Sequence, residues 1–276
     1  MNAGPVDLHL HTNRSDGVYA PRELLDKVAG FGLRTVAIVD HDEVSAIPEA
    51  VEYAKKLGIE IIPGIELSVI FGGYDLHLLG YCFDYENAEL LHYLHLFRSE
   101  RVKRAEKIVD KLSDLGMPIS LEAVLERAGQ GSVGRPHIAS VLVDDGFVFS
   151  FQEAFDKYLA TGKPAYVDKY KMDVVTALNL IKNAGGLCSV AHPGIQVSES
   201  ELMDLVKLGI DAIEVVHPKH SDEQTRFYRK VASENGLLQT GGSDFHGGPK
   251  GEDALGRFTV DYEVVLQMKA LVGCGL

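Results

Sequence analysis

Short apolar runs alternate with segments of helical periodicity along most of this chain. Seven runs rich in β-branched and other apolar residues predict strands, at 6–9, 35–39, 60–67, 76–82, 187–191, 210–216 and 237–241. Five segments between them repeat apolar residues at helical spacing, at 21–31, 46–57, 174–184, 199–208 and 222–234. Repeated strand–helix units form parallel sheets with right-handed crossovers, so the pattern predicts an α/β fold. Seven strands favour a closed or nearly closed barrel.

The middle of the chain interrupts this alternation. Helical spacing recurs there without an intervening strand, at 87–115, 121–128, 137–143 and 151–159. We therefore predict a barrel made of residues 1–97 and 166–276, with a small helical insertion domain at 98–165 that caps the site. The first inserted helix is rich in basic side chains, which form a solvated face or, alternatively, a basic rim over an anionic substrate. These are Arg98, Arg101, Lys103, Arg104, Lys107 and Lys111.

Composition narrows the class of protein. The 276 residues include 27 Lys and Arg against 40 Asp and Glu, a formal net charge of −13, which argues against binding along duplex DNA or an anionic membrane. Hydrophobic residues make up 46% and charged residues 24%, the balance of a folded globular protein. The three cysteines include no CxxC pair, so we predict neither a disulfide framework nor a cysteine zinc site.

Several common signals are absent from the sequence. There is no signal peptide and no apolar run of the roughly 18 residues that span a bilayer, which predicts a cytoplasmic protein without a membrane partner. Neither a GxGxxG turn nor a GxxxxGK[ST] loop occurs, which disfavours a Rossmann or P-loop nucleotide site.

Histidine and carboxylate residues follow the predicted strands. His9 and His11 are two residues apart at the end of the first strand, so both imidazoles point to the same side of an extended backbone. Such a pair often arises by chance, but further residues of ligand type come in the loop after the same strand and on or after five other strands. These are Asp16, His41, Glu66, His77, His192, Asp244 and His246. The carboxyl ends of barrel strands form a single site, so the sequence predicts a metal centre there.

Longer motifs surround these residues. They are Asp7-Leu8-His9-Leu10-His11-Thr12, Ser15-Asp16-Gly17, Val39-Asp40-His41-Asp42, Pro63-Gly64-Ile65-Glu66, Ala191-His192-Pro193-Gly194 and Gly242-Ser243-Asp244-Phe245-His246. Together they resemble the successive motifs of the PHP (polymerase and histidinol phosphatase) superfamily, over essentially the whole chain. The resemblance implies a distorted (β/α)7 TIM-like barrel.

Two motifs in and beside the insertion resemble one branch of that superfamily. They are Gly134-Arg135-Pro136-His137 and Gly162-Lys163-Pro164-Ala165-Tyr166-Val167. Both are similar to motifs of the stand-alone bacterial phosphoesterases, which include 5′-3′ exoribonucleases and nucleoside 3′,5′-bisphosphate phosphatases.

The resemblance also implies three divalent metal ions, most often manganese. It assigns His9, His11, Glu66 and Asp244 to the first ion, with Glu66 bridging to a second ion completed by His77 and His192, and Asp16, His41 and His246 to the third. Histidine and carboxylate ligands suit iron and zinc as well. We expect Asp40 to orient His41, as carboxylates often do for metal-bound imidazoles.

This ligand set predicts the hydrolysis of phosphate esters. Coordination lowers the pKa of water from about 15.7 toward about 7, so a hydroxide that bridges two ions can attack phosphorus in line. The ions also stabilise the equatorial oxygens and the departing alkoxide. Because three divalent ions outweigh the charge of Asp16, Glu66 and Asp244, we expect an anion-binding site within an acidic protein.

Arg135 and His137 are the predicted substrate contacts and, together with Glu66, the predicted catalytic residues. Arginine offers a planar fork to two phosphate oxygens, and a histidine can donate a hydrogen bond or act as a general acid. The alternative is that Arg135 and His137 only begin a helix of the insertion. Further candidates for substrate contact are Lys163, His220, Tyr166 and Lys219.

The predicted function is that of a metal-dependent phosphoesterase acting on nucleoside 3′,5′-bisphosphates or the 5′ end of short RNA. We expect a small phosphorylated partner of this kind, and neither duplex DNA nor an obligate protein partner. The alternatives are a histidinol-phosphate or other small-molecule phosphatase, an amidohydrolase, and a non-catalytic, metal-stabilised PHP interaction module. The chain offers no obvious carboxylated lysine of the kind common in amidohydrolases, and its complete ligand set disfavours the non-catalytic module.

Overall fold

A sheet of eight strands forms the centre of the first of two structural units. The computed structural model describes residues 4–129, 131–168, 170, 172–194, 197–248 and 254–273. The first unit is made of Met1–Leu91 with Lys171–Leu276, and the second is His92–Tyr170. The strands are β1 (Val6–Leu10), β2 (Thr35–Ile38), β3 (Glu60–Phe71), β4 (Tyr74–Tyr81), β5 (Met172–Asp173), β6 (Leu187–Val190), β7 (Ala212–Val216) and β8 (Leu238–Gly241).

The sheet curves into a nearly closed barrel, as the sequence predicts. Its strands follow the order β1-β2-β3-β4-β6-β7-β8, and the short β5 pairs with β3 off this path. Bridges from Val6 to Val260 and from Leu10 to Phe245 bring the chain after β8 beside β1. Strands β1, β2 and β6 are buried along their whole length, which is why they read as continuous apolar runs in the sequence.

Strand β4 departs from the expected parallel arrangement. It runs antiparallel to both of its neighbours, β3 and β6, while the other pairings are parallel. No helix separates β3 from β4, and a two-residue turn of Gly72 and Gly73 joins them as a hairpin. Both glycines have positive φ, 59° and 90°, which is the conformation that tight hairpin turns require.

The helices of the described residues agree closely with the predicted helical segments. They are α1 (Pro21–Gly30), α2 (Ala46–Leu57), α3 (Ala88–Asp114), α4 (Leu121–Ala128), α5 (Arg135–Asp144), α6 (Phe151–Ala154), α7 (Val174–Asn183), α8 (Glu199–Leu208), α9 (Asp222–Glu234) and α10 (Glu263–Val272). A π-helical turn, Phe155–Leu159, continues α6. Sequence analysis missed β5 and α10. None of the described helices is long and apolar enough to cross a membrane.

Local signals fix several helix ends. Helices α8 and α9 begin at Ser198 and Ser221, each of which accepts a hydrogen bond from the backbone three residues on and forms a capping box. Pro21 begins α1, where the missing N–H carries no cost. Helix α2 ends at Gly58 in the left-handed conformation, with φ of 64°.

The second unit has a hydrophobic core of its own. Buried side chains from α3, α4, α5 and α6 meet there, among them Ile108, Leu112, Val124, Ile138 and Leu142. The N-cap Ser120 of α4 accepts a hydrogen bond from the backbone of Ala123 at 3.0 Å, and Ser150 caps α6 in the same way. The predicted insertion, 98–165, lies within this unit.

Truncating that core tests the packing of the second unit. Leu142 is fully buried, so Leu142→Ala should lower the free energy of unfolding by about 2–5 kcal/mol, since it removes apolar contacts and leaves a cavity. Leu115→Ala is the matched control, because Leu115 is 45% exposed, and it should change stability by less than about 0.5 kcal/mol. Urea denaturation followed by circular dichroism measures both. Equal effects of the two substitutions would contradict the assignment of Leu142 to the core.

Candidate metal centre

The first strand brings two imidazoles into the interior of the barrel. His9 and His11 are 0% and 1% exposed, and their Nε2 atoms are 3.1 Å apart. They share a face because they are two residues apart along extended backbone. The backbone N–H groups of His9 and Ser243 both donate to Asp7 Oδ1, at 3.1 and 3.0 Å. Asp7 therefore ties the first strand to the segment that follows β8.

Glu66 lies at the centre of a cluster of histidines. It is fully buried on β3, and its two carboxylate oxygens face different imidazoles. Oε2 is 3.3 Å from His9 Nε2, 3.2 Å from His11 Nε2 and 3.4 Å from His41 Nδ1. Oε1 is 2.8 Å from His77 Nδ1 and 3.0 Å from His192 Nε2. One carboxylate thus connects two groups of histidines.

The direction of β4 explains how His77 reaches Glu66. In the antiparallel register His77 is opposite Ser68, two residues beyond Glu66 on β3. His77 is near the start of β4, so only an antiparallel β4 brings it to the carboxyl half of β3.

A second carboxylate, Asp16, lies among histidines from three separate segments. Its Oδ1 is 3.2 Å from His246 Nε2 and 3.9 Å from His11 Nδ1, and its Oδ2 is 3.7 Å from His41 Nε2. The rings of His11 and His246 stack with centroids 4.1 Å apart. The Asp16 side chain is 41% exposed, so this group forms the solvent-facing side of the cluster.

Two members of the cluster have unusual backbone conformations. Asp244 has φ of 51° and His192 has φ of 24°, values that non-glycine residues rarely adopt. Asp244 Oδ1 lies 3.4 Å from the Nε2 atoms of both His9 and His11. Strained backbone of this kind concentrates at functional sites, where surrounding contacts hold it in place.

The nine ligand-type residues that the sequence singles out all belong to this cluster. Their potential ligand atoms form groups in which every atom lies within 4.8 Å of the others. Four of these groups contain only the predicted residues: His11, Asp16, His41 and His246; His9, His11 and Asp244; His9, Glu66 and His192; and His41, Glu66 and His77.

The electrostatics of the cluster keep its carboxylates ionised. Burial alone would raise the pKa of Glu66, but the imidazoles of His41, His77 and His9 hold it well below its usual value. Burial opposes a charged His11, yet its contacts with Asp244 and Glu66 raise its pKa to about 10. Burial lowers the pKa of His41 to about 4. Metal ions bind ionised carboxylates and neutral imidazoles, so an ion that binds here displaces the proton of His11.

Hydrogen bonds within the described part of the protein leave three ring nitrogens of the nine ligand-type residues without a partner. His11 Nδ1, His41 Nδ1 and His77 Nδ1 are buried and have no hydrogen-bond partner among the described residues. They nevertheless lie 3.9, 3.4 and 2.8 Å from a carboxylate oxygen of Asp16 or Glu66. Buried polar atoms without partners are costly, whereas a cation held between imidazole and carboxylate satisfies both. The donor set therefore fits divalent metal ions.

Two further residues of the cluster escaped the sequence analysis. Glu214, on β7, and His217, just after it, are buried and form a group with His9. His217 directly follows β7, so it lies at a strand end like the residues that the sequence singled out. Glu214 gave no such signal, because a single acidic residue within an apolar strand resembles an outward-facing position.

Asp40 has a different role from the one expected. It accepts hydrogen bonds from the backbone N–H of Thr12 at 2.7 Å, from Thr12 Oγ1 at 2.6 Å and from Ser15 Oγ at 2.7 Å. These contacts anchor the loop that carries Asp16. Asp40 thus positions Asp16 rather than His41, because its carboxylate is directed at the loop that follows β1.

The predicted substrate contacts Arg135, His137 and Lys163 belong to the second unit. Arg135 and His137 lie in the first turn of α5, where Arg135 Nη1 donates to the carbonyl of Leu159 at 3.0 Å. His137 Nδ1 accepts a hydrogen bond from the backbone N–H of Gly134 at 3.0 Å. Lys163 is exposed. Their contacts with substrate stay predictions.

His220, the remaining predicted substrate contact, lies after β7 in the first unit. Its Nδ1 is 3.3 Å from the carbonyl oxygen of Val215, and its Nε2 accepts a hydrogen bond from the backbone N–H of Gly194 at 3.4 Å. Tyr228 donates to the carbonyl of Gly194. His220 therefore helps to hold the loop that carries His192.

Carboxylates that lie between groups of imidazoles, at the carboxyl ends of barrel strands, form a candidate site for divalent metal ions. Metal-dependent hydrolases use centres of this composition to activate water and to bind anionic groups. The described residues therefore have the composition of a metal-dependent hydrolase site.

Comparisons with known proteins agree with this class. The PHP domain matches residues 7–115. A 5′-3′ exoribonuclease of Haemophilus influenzae is 35% identical over 87% of this chain and 89% of its own length. A 3′,5′-nucleoside bisphosphate phosphatase of Chromobacterium violaceum is 31% identical over 91% of this chain and 90% of its own. The chain belongs to the PHP family of metal-dependent phosphoesterases.

Solved structures share the whole fold. A Bifidobacterium adolescentis protein, inferred to be a metal-dependent phosphoesterase, matches with a TM-score of 0.86 and 29% identity over 98% of both chains. A Chromobacterium violaceum protein named as an amidohydrolase, with bound sulfate and no metal, matches with a TM-score of 0.81 and 31% identity over 94% of this chain and 92% of its own.

A glycine beside His9 tests how closely the cluster is packed. A Cβ atom at Gly242 would lie 2.4 Å from His9 Cβ and 2.5 Å from His9 N, so Gly242→Ala must displace β1. We expect it to lower the free energy of unfolding by about 1–3 kcal/mol and to weaken Mn²⁺ binding. Gly30→Ala is the control, because a Cβ there meets nothing within 4 Å. Calorimetry with and without Mn²⁺ measures both, and a fully stable Gly242→Ala protein with unaltered Mn²⁺ affinity would refute the close packing.

Proposed function

We propose that this chain hydrolyses phosphate esters of nucleotides, either nucleoside 3′,5′-bisphosphates or the 5′ end of short RNA, with three divalent ions. The observation that carries the proposal is the convergence of nine ligand-type residues, the buried Glu66 among them, in one cluster. The names of the relatives from Haemophilus influenzae and Chromobacterium violaceum support the nucleotide substrate class.

The proposed ligand assignment follows the contacts of the two carboxylate oxygens of Glu66. Oε2 faces His9 and His11, which with Asp244 hold the first ion. Oε1 faces His77 and His192, which would hold the second ion, and Glu66 would then contribute to both. Asp16, His41 and His246 hold the third ion. Manganese is the proposed metal, and iron and zinc suit the same imidazole and carboxylate ligands.

Each group of residues has a distinct part in the proposed reaction. When bound, the ions supply Lewis acidity that activates water and neutralises charge on the phosphoryl group. The carboxylates of Asp16, Glu66 and Asp244 would supply the negative charge that holds the ions, and Glu66 is removed from bulk water. Imidazoles whose outer nitrogens are hydrogen-bonded keep their orientation during the reaction.

Three residues of the second unit, Arg135, His137 and Lys163, are proposed substrate contacts on the basis of their chemistry. Arg135 binds two phosphate oxygens with its guanidinium group. His137 Nδ1 accepts a backbone hydrogen bond, so in the neutral ring Nε2 carries the proton. A neutral imidazole is a poor acid, so the proposed role of His137 is to donate a hydrogen bond to the departing oxygen, or a proton when its ring is cationic. Lys163 and His220 are the further proposed contacts with the substrate.

The charge of the protein favours a small substrate or a chain end. With a formal charge of −13, the surface as a whole repels a polyanion. Divalent ions in the cluster reverse the potential locally, so a mononucleotide or the terminal phosphate of an RNA is attracted where a long duplex is not.

Substitution of the bridging residue tests the metal assignment. Glu66→Gln preserves the shape of the side chain but removes its charge and one acceptor oxygen. Loss of a residue that only orients a metal ligand costs roughly 10–100-fold in activity, and we expect Glu66→Gln to reduce turnover by more than that. We also expect a lower Mn²⁺ content. The barrel should stay folded. Phosphate release, elemental analysis and circular dichroism measure the three effects. The exposed Glu234→Gln is the matched control, and unchanged turnover of Glu66→Gln would rule out the bridging role.

A panel of substrates tests the proposed reaction itself. Removal of metal with a chelator should abolish phosphate release, and Mn²⁺ should restore it. The restored enzyme should prefer adenosine 3′,5′-bisphosphate or a 5′-phosphorylated short RNA over histidinol phosphate. Faster turnover of histidinol phosphate would overturn the nucleotide assignment. Turnover of a cyclic amide with no release of phosphate would favour an amidohydrolase.

A further inference from the structure

Strand β7 and the residue His217 that follows it contribute none of the nine proposed ligands. They nevertheless contact three of those ligands. Glu214 is fully buried on β7, and His217, one residue beyond the end of β7, is 2% exposed. Their neighbours in the cluster are His9, His192 and Asp244. A buried acid and a buried imidazole beside a metal centre require a physical explanation, because each is costly unless it has partners.

Glu214 holds two ligand residues through separate oxygens. Oε1 lies 2.8 Å from His9 Nδ1, and Oε2 accepts a hydrogen bond from the backbone N–H of His192 at 2.7 Å. A carboxylate can only accept, so His9 Nδ1 carries the proton. The lone pair of the neutral His9 ring is then on Nε2, which faces Glu66 and His11. The backbone contact holds His192 at its strained φ of 24°.

His217 faces the outer oxygen of Asp244. Its Nδ1 accepts a hydrogen bond from the backbone N–H of Lys219 at 3.1 Å, so in the neutral ring Nε2 carries the proton. Nε2 lies 3.3 Å from Asp244 Oδ2, in contact with it although not aligned as a hydrogen bond. Lys219 Nζ reaches the same oxygen at 3.0 Å. Asp244 therefore presents Oδ1 to His9 and His11 while its Oδ2 faces two donors.

We propose that Glu214 and His217 are positioning residues that orient the ligands His9, His192 and Asp244. The proposal rests on the metal-binding function proposed above. His9, Glu214 and His217 do not form an ion site of their own, although their potential ligand atoms lie close together. Glu214 accepts from His9 Nδ1, and the backbone N–H of Lys219 donates to His217 Nδ1, so neither of these two nitrogens has a lone pair left for an ion.

Mn²⁺ titration of the metal-free full-length protein tests the role of Glu214. In Glu214→Gln, the amide cannot accept from both His9 and the backbone of His192, since one of its two polar ends is a donor. We expect the Mn²⁺ dissociation constant to rise by about 10–100-fold, with the same number of ions per chain at saturation. Isothermal calorimetry gives the constant and elemental analysis gives the number. An unchanged constant would overturn the proposal.

Two substitutions of His217 distinguish positioning from mere packing. His217→Phe fills the space but removes the donor, and it should weaken Mn²⁺ binding and lower turnover together. His217→Gln restores an N–H donor near Asp244, so it should recover most of the affinity. If both variants bind Mn²⁺ as the parent does, His217 has no positioning role. A loss of one ion per chain at saturation in His217→Phe would mean that His217 is a ligand, which also overturns the proposal.

Further variants separate this proposal from the one on which it rests. Lys219→Met alters an exposed side chain, 71% accessible, so the protein should fold normally and bind Mn²⁺ several-fold more weakly. Glu234→Gln should match the parent. If Glu66→Gln binds Mn²⁺ normally, the metal function itself is wrong. If Glu66→Gln loses Mn²⁺ while Glu214→Gln, His217→Phe and Lys219→Met all keep it, only the positioning role is wrong.

Discussion

A fully buried carboxylate must have its charge balanced, and the centre of this barrel is organised around that requirement. Glu66 is removed from water on β3, where an isolated ionised carboxylate would be strongly destabilising. Imidazoles contributed by four other segments contact its two oxygens, so the balance is achieved only when the barrel is assembled. Divalent cations bound between these groups would complete it, and stability and catalysis would then depend on the same contacts.

Much of the fold follows from the periodicity of apolar residues. All seven predicted strands exist, because buried strands such as β1, β2 and β6 have no polar face to obscure them. The antiparallel direction of β4 was not predicted. Strand direction depends on the connection between strands, and a connection as short as the Gly72–Gly73 turn joins antiparallel strands. Helix α10 was missed because sequence analysis assigned no element after the last strand. Strand β5 has only two residues, too few to give a periodic signal.

The ligand-type residues were predictable and their supporting residues were not. Proposed ligands such as His41 and Asp244 follow apolar strands, and a charged or titratable side chain stands out at such a position. Glu214 lies within an apolar strand and Asp7 at the start of another, and neither position indicates a supporting role. Asp40 was recognised but given the wrong partner, because sequence adjacency to His41 does not determine where a carboxylate points. Supporting contacts depend on side-chain directions that only the assembled barrel defines.

The hydrogen bond between Asp7 and the backbone of Ser243 joins residues 236 positions apart in the sequence. Contacts of such long range form late, after the loop between them has been closed. During synthesis, His9 emerges long before Asp244 and Glu214, so for most of that time the first strand has only part of its environment. Metal binding at the centre would therefore require the two ends of the barrel sheet to have come together. An incompletely folded chain lacks the site that would retain the ions.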